Sequence, residues 1–341
     1  MLFRSKDLLE RVADSPGAAL GSTRDKPDEA YCRKIFDVFA KHDVRYFFYI
    51  GGNDSADTAH IVNELAVEAD YELRVFHIPK TIDNDLLVTD HCPGYGSAAK
   101  FVATAIIGDD GDNASIPGVK IDVIMGRHAG WLTAAAALGR RDETDGPHLI
   151  YLPERPVSEN DMMADIGAMI GRYGRCVIAV SEGVVDPEGA PWAQKLAQTR
   201  ERDAHGNIQL SGTGALGDYI AGLVKSRLTV GRVRADTLGY MQRSFAGFAS
   251  AVDQAEARMA GRMAVQYALS GDVDGSVAFK RTGEGEHYGV ECFRTDLKNV
   301  ARETKDLPDE YIADNGHDVT QAFIDYAMPL TGGLPEIAKL F

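Results

Sequence analysis

Cysteine is scarce: four residues in 341, at Cys32, Cys92, Cys176 and Cys292, with no Cys-x-x-Cys pair. Such scatter excludes a disulfide framework and the usual spacings of a structural zinc site, and it fits a reducing cytoplasm. Long apolar runs are also missing, so no segment reads as a membrane span and no membrane partner is expected. The first residues turn charged at Arg4 and Lys6, too early for a secretory signal. Positive charge is in deficit, with 36 Lys and Arg against 51 Asp and Glu, a formal net charge of -15. A surface of that sign excludes nucleic acid as a partner held by non-specific phosphate contacts. It leaves small phosphorylated substrates open, because they need only a local basic cluster. The chain reads as lacking a strand-turn-helix Gly-x-Gly-x-x-Gly fingerprint with a following acidic residue, which counts against a dinucleotide-binding oxidoreductase. What remains is 45% hydrophobic and 26% charged, a globular composition with a large core and one or two domains.

Apolar runs rich in β-branched and aromatic residues alternate with helical patterns. Arg45 to Ile50, Leu73 to Ile78, Val119 to Ile124, His148 to Leu152 and Cys176 to Val180 read as strands. Helices are expected over Ala56 to Glu68, Trp131 to Leu138 and Asn160 to Arg172, the last opened by Ser158 and Asp161 as a capping box. Asp203 to Gly214 reads as a polar loop, and the stretch after about Glu303 as irregular up to a short C-terminal helix. Alternation of this kind predicts an α/β fold with right-handed crossovers and a mostly parallel sheet. Ligands of such sheets bind beyond the carboxyl ends of the strands, so the turns after strands carry the information.

The first such turn is Gly51-Gly52-Asn53-Asp54-Ser55. Paired glycines let backbone N–H groups approach a phosphate, and the helix that follows offers its positive end. Taken alone it is equally a plain turn, with Asp54 or Ser55 as N-cap. The second, Pro79-Lys80-Thr81-Ile82-Asp83-Asn84-Asp85, carries two carboxylates two residues apart behind a Lys and a Thr. One carboxylate can accept a proton from an attacking hydroxyl, and the other can hold Mg²⁺. The Lys can balance charge on a moving phosphoryl group.

The third turn, Met125-Gly126-Arg127-His128-Ala129-Gly130, offers a close approach at Gly126 and a bidentate fork at Arg127. His128 reads as structural and Trp131 as core packing. After the next strand Glu182 can accept from a sugar hydroxyl. Arg234 and Arg243 flank Leu238-Gly239-Tyr240, and both can grip a phosphate.

Together these segments resemble the phosphofructokinase family, in the family's order and over nearly the whole chain. The resemblance implies two doubly wound parallel-sheet domains with the active site between them. Residues 1–94 would form the donor-phosphate domain, completed by about 243–300, and 95–242 the fructose 6-phosphate domain, completed by about 301–341. It implies Asp83 as the base toward the 1-hydroxyl of fructose 6-phosphate, with Lys80 and Arg127 as its catalytic companions. Asp85 with Asn53 would serve Mg²⁺. Thr81, Asp83, Met125, Gly126, Arg127, Glu182, Arg234, Tyr240 and Arg243 would bind fructose 6-phosphate. Arg24, Gly52, Asn53, Asp54, Ser55 and Lys80 would meet the donor. A homodimer or homotetramer acting in glycolysis is implied as well.

Two positions point to the donor. Relatives that use ATP carry Gly where this chain has Asp54 and Lys80, and often His where it has Tyr240. A carboxylate at 54 repels the α-phosphate of ATP, which pyrophosphate lacks, and an ammonium at 80 stabilises the transferring group. The resemblance therefore implies pyrophosphate as donor and a reversible reaction. It departs from the family in two places. Asn53 stands where ATP-using relatives have an Asp near the metal. The family's opening strand and Gly-rich donor loop lie ahead of the segment near Leu8. A fragment or a misassigned start is the expectation there, rather than a degenerate member. The alternatives are an ATP-dependent 6-phosphofructokinase and a truncated, non-catalytic paralogue that binds sugar phosphate and regulates a partner.

Overall fold

The computed structural model describes residues 5–23, 25, 28–196, 214–272, 274–300 and 303–338. In chain order its first elements are α1 (Lys6–Ala13), α2 (Glu29–Lys41), β1 (Tyr46–Gly51), α3 (Asn53–Glu68), β2 (Arg74–Pro79), α4 (Tyr95–Ser115) and β3 (Val119–Ile124). Next come α5 (Trp131–Ala134), β4 (Leu149–Tyr151), α6 (Glu159–Tyr173), β5 (Cys176–Ser181), α7 (Trp192–Leu196) and α8 (Ala215–Arg227). The last are β6 (Val233–Thr237), α9 (Ala251–Ser270), β7 (Asp274–Arg281), β8 (Val290–Thr295) and α10 (Gln321–Ala327). The chain divides into two compact units. The first comprises Ala18–Tyr95 and Ala251–Lys305, the second Met1–Gly17, Gly96–Ser250 and Asp306–Phe341.

The first unit is built on a four-stranded sheet of order β1-β2-β7-β8. Strands β1, β2 and β7 run parallel, with Gly51 opposite Pro79 at the carboxyl end. Strand pleating sends Phe47 and Val75 to one face and Phe48 and Phe76 to the other. The first pair joins Phe36 and Phe39 of α2 and Val62 and Leu65 of α3. The second pair joins Ala260, Ala264 and Ala268 of α9, whose small side chains let helix and sheet approach closely. Helices thus cover both faces, as the repeated β–α–β pattern requires. An all-parallel sheet does not form here, because β8 pairs antiparallel with β7. The link between them, 282–289, is a hairpin length and too short for a crossover helix.

The second unit has an all-parallel sheet of order β4-β5-β3-β6. One face buries Ile121, Val123, Ile178 and Val180 against Met162 and Ile166 of α6 and Ile220 and Val224 of α8. Helix α6 starts at Glu159, where the Ser158 hydroxyl accepts the Asp161 N–H at 3.1 Å and donates to the Asp161 carboxylate at 2.6 Å. The expected helix from Trp131 to Leu138 is α5 for one turn and then a 3₁₀ turn, Ala135–Gly139. A Cβ at Gly139 would stand 2.4 Å from Ile107 of α4, so this turn is pressed against its neighbour. Trp131 is core packing, edge-on to Tyr311 and against Tyr326. Of the loop predicted over Asp203 to Gly214, residues 203–213 lie outside the described residues and Gly214 is the N-cap of α8. No helix among those residues is long and apolar enough to cross a membrane.

Candidate active site

The parallel pairing of β1 with β2 puts two of the predicted turns side by side. The Gly51 carbonyl accepts the Lys80 N–H at 2.9 Å, and a Cβ on Gly52 would lie 3.5 Å from the Thr81 Cβ. At Gly51 a Cβ would fall 2.0 Å from the Ser55 Oγ, so only glycine fits between strand and helix. The N-cap of α3 is Gly52. Asn53, Asp54 and Ser55 therefore lie in the first helical turn, and neither Asp54 nor Ser55 is the cap. Ser55 is hydrogen-bonded to the Tyr49 hydroxyl. Asp54 and Lys80 are exposed, one on each turn.

Under these turns lies His77, which the sequence reading did not single out. It is fully buried, with Nε2 2.9 Å from the Gly51 carbonyl and Nδ1 2.8 Å from the Ser276 hydroxyl. Burial pushes its pKa down to about 4 against a partial offset from the Gly51 and Gly52 backbone, so it is neutral at pH 7. Between about pH 6.5 and 4 the unfolded chain takes up this proton and the native state does not. His77 alone should thus lower stability by about 3 kcal/mol as pH falls through that window. Urea midpoints across it should drop more steeply for the natural chain than for His77→Gln; parallel curves would refute this.

The turn that carries the carboxylates is fixed by its own polar groups. The Asp83 N–H donates to the Thr81 Oγ1 at 3.1 Å, and the Thr81 N–H donates to the Pro93 carbonyl at 3.1 Å. Asn84 is buried with a φ of 56°, and its Oδ1 accepts the Cys92 N–H at 2.9 Å. Asp85 accepts from Asn53 Nδ2 at 3.0 Å, and its carbonyl accepts the Lys305 N–H at 2.7 Å. Burial, and then the charge of Asp83, push the Asp85 carboxyl up to about 7. The Asn53 Oδ1 is buried with no hydrogen-bond partner. An amide oxygen without a hydrogen-bond partner beside a carboxylate whose charged form burial disfavours is an oxygen donor set that suits Mg²⁺.

The second unit collects the other predicted turns at the carboxyl ends of β3, β5 and β6. The Glu182 N–H donates to the Ile124 carbonyl at 2.9 Å, and the Leu238 N–H to the Val123 carbonyl at 3.0 Å. The Ser181 hydroxyl donates to the Gly126 carbonyl at 2.6 Å. Gly126 has a φ of 141°, and a Cβ there would meet the Ala129 carbonyl at 2.7 Å. A Cβ at Gly183 would fall 2.1 Å from the Arg127 carbonyl, so the Met125–Arg127 and Ser181–Gly183 turns touch through backbone. Glu182 is buried, Met125 and Arg127 are half-buried, and His128 is exposed. Tyr240 and Arg243 are exposed, with the Arg243 guanidinium 4.5 Å from the centre of the Tyr240 ring.

Two organisers of this set were missed from the sequence. Gln242 is buried, accepts the Met125 N–H at 3.3 Å and donates to the Gly239 carbonyl at 2.9 Å. Glu154 accepts the N–H groups of Gly130 at 2.8 Å and Leu307 at 3.0 Å. It too follows a strand end, β4, and the rule used for the other turns would have found it.

Arg234 is not with them. It lies one residue into β6, paired with Lys120 near the amino end of β3. That is roughly 16 Å along the strand from Met125. Its neighbours are Lys120 and Asp236, with the Lys120 ammonium 3.2 Å from Asp109, 3.9 Å from Asp122 and in contact with Asp236. These three aspartates are the acidic cluster among the described residues. Lys120 already supplies a cation in their midst, so the Asp85–Asn53 pair remains the better seat for Mg²⁺. Arg24 lies outside the described residues.

The family profile described as Phosphofructokinase matches residues 3–268. The pyrophosphate–fructose 6-phosphate 1-phosphotransferase of Rhodospirillum rubrum is 56% identical over 333 residues, 97% of this chain and 82% of the relative. The crystal structure of a pyrophosphate-dependent phosphofructokinase from Nitrosospira multiformis superposes with a TM-score of 0.85 at 30% identity, covering 99% of this chain and 80% of that one. The corresponding protein from Marinobacter aquaeolei gives 0.81 at 32% identity, covering 98% and 81%. With its turns, its α/β units and these relatives in agreement, the chain belongs to the phosphofructokinase family.

Proposed function

We propose that this protein transfers a phosphoryl group from pyrophosphate to the 1-hydroxyl of fructose 6-phosphate, yielding fructose 1,6-bisphosphate and phosphate. The observation that carries the reading is the paired end of β1 and β2. There the Gly51-Gly52 turn and the start of α3 stand beside Lys80, Thr81 and Asp83, with Asp54 projecting from the same helix turn. Asp83 accepts the proton of the attacking hydroxyl, the new P–O bond forms in line, and the bond to the leaving phosphate breaks. Lys80 faces the charge that spreads over the transferring group. Asp85 and Asn53 would hold Mg²⁺, which would neutralise donor charge. Thr81 sets the Asp83 backbone through its hydroxyl. Met125, Gly126, Arg127, Glu182, Tyr240 and Arg243 hold the sugar phosphate. Gly52, Asn53, Asp54, Ser55 and Arg24 are assigned to the donor.

Arg234 stands at the other end of its sheet, so its assignment to fructose 6-phosphate goes with a homodimer or homotetramer in which it serves a second copy. Donor binding is assigned to the first unit and sugar-phosphate binding to the second; the units differ from the expected divisions in that Met1–Gly17 and residues 243–250 group with the second. A cytoplasmic location fits such chemistry.

The test is a coupled assay on the full chain with fructose 6-phosphate and Mg²⁺. Pyrophosphate should support turnover, with ATP at least roughly a hundredfold poorer in kcat/KM. Strong activity with ATP and none with pyrophosphate would overturn the reading.

A further inference from the structure

The turn carrying Asp83 leans on a strap, residues 89–94, and that strap is gripped by α9. Thr81 forms an isolated parallel bridge with Gly94, donating its N–H to Pro93. Gly94 has a φ of 106°, and its N–H donates to the Asp253 carboxylate at 2.7 Å. Three residues on, and so on the same face of α9, Glu256 accepts from His91 Nε2 at 2.7 Å. The other His91 nitrogen meets Asp90 at 2.8 Å, and with a carboxylate on each nitrogen both ring positions carry protons. Asp90 is held in turn by the Nε and Nη2 of Arg281 at 3.2 and 3.1 Å, and Glu256 by the Tyr288 hydroxyl at 2.6 Å. Lys305 donates to the carbonyls of Thr89 and Asp90 at 3.0 and 2.8 Å. His91, Asp253 and Glu256 are all buried.

Such a network is more than a core contact. Two cations and two carboxylates offset one another at Arg281, His91, Asp90 and Glu256, and breaking one member would leave a buried charge unpaired. The groups it holds touch neither substrate nor metal as assigned above. They connect instead to Thr81, whose hydroxyl receives the Asp83 N–H, and to Asn84, whose Oδ1 receives the Cys92 N–H within the strap.

We propose that Asp253 and Glu256 are positioning residues: acting through the 91–94 strap, they hold the Thr81–Asp85 turn in register for phosphoryl transfer. The inference rests on the reading under Proposed function for its kinetic consequence, but not for its mechanical one. An Asp83 displaced by about 1 Å should cost about a hundredfold in rate while leaving the sugar-phosphate residues of the second unit untouched.

The experiment compares the full chain with Asp253→Ala, Asp253→Asn and Tyr288→Phe in two readouts. In the first, Asp253→Ala should lower kcat with pyrophosphate by about a hundredfold while KM for fructose 6-phosphate stays within about twofold. Asp253→Asn, which keeps an oxygen for the Gly94 N–H, should recover most of the loss. In the second, hydrogen–deuterium exchange of the amides between Thr81 and Gly94 should speed up at least about tenfold in Asp253→Ala, with the β1 amides unchanged. If Asp253→Ala does not fold, Tyr288→Phe removes a single hydroxyl and should move both readouts in the same direction by about threefold. An unchanged kcat, a loss confined to KM, or unchanged exchange in the strap would overturn the proposal. Should the natural chain fail to turn over pyrophosphate, the functional reading falls and the exchange readout still decides the clamp.

Discussion

Asp83→Asn should lower kcat for transfer from pyrophosphate to fructose 6-phosphate by about 10² to 10⁴-fold, with sugar-phosphate affinity changed by less than about threefold. The substitution keeps the volume and one oxygen but removes the ability to take a proton. The Asp83 N–H bond to the Thr81 hydroxyl is a backbone contact that Asn retains, and the Thr81 Oγ1 is 3.5 Å from the Asp83 carboxylate, a weak tie. Removing the general base should therefore appear in kcat and leave KM and melting behaviour near those of the natural chain. Steady-state kinetics in both directions, with binding of fructose 6-phosphate measured separately, gives the split. Retention of more than about a tenth of the rate would exclude Asp83 as the base and shift attention to Asp85. Asp85 accepts from Asn53, and burial, then the charge of Asp83, raise its pKa to about 7, the proton affinity such a base would need.

Much of this was legible in the sequence wherever local pattern and local chemistry coincide. Strands β1, β2, β3, β4 and β5 were expected within a residue or so of where they lie, because their β-branched and aromatic runs are bounded by turn residues. The same rule pointed to the turns after them. It failed where a strand carries charge. Val233–Thr237 alternates Val, Arg, Ala, Asp, Thr, and Arg234 read as a phosphate contact rather than as part of the polar face of an edge strand. Missing β6 is what placed Arg234 with Arg243, although strand β6 and the turn after it separate them. Helix α4 was hidden for a different reason. It is lined by Ala, Val and Ile, interrupted by Gly108 and Gly111, and has no clean amphipathic stripe. Helix α9 was likewise unmarked, and with it Asp253 and Glu256. Their partners Gly94 and His91 stand 159 and 165 residues away, a separation that no local pattern reports.

The donor preference should be movable by two substitutions together. Asp54→Gly with Lys80→Gly is expected to make ATP a measurable substrate and to depress pyrophosphate turnover, shifting the ratio of the two kcat/KM values by about a thousandfold. The two halves act differently. Asp54 sits in the first turn of α3, where the helix N-terminus otherwise favours anions, so its carboxylate cancels an attraction that the α-phosphate of ATP would use. It is exposed, so solvent screens the repulsion, and relief is worth about tenfold. Lys80 follows β2 directly, and on the proposed reading its ammonium faces the transferring group; its loss should cost pyrophosphate about a hundredfold in kcat. The single variants test the partition. Asp54→Gly alone should admit ATP while sparing pyrophosphate, and Lys80→Gly alone should damage pyrophosphate without admitting ATP. Because the turns are joined by the Lys80 N–H to the Gly51 carbonyl, the two effects should not add strictly, and the double variant is the one to judge by. The fold offers no obstacle to the exchange. Both side chains project from turns whose backbone is held by Gly51, Gly52 and His77, so ATP remaining inert in the double variant would mean that a group other than Asp54 excludes it.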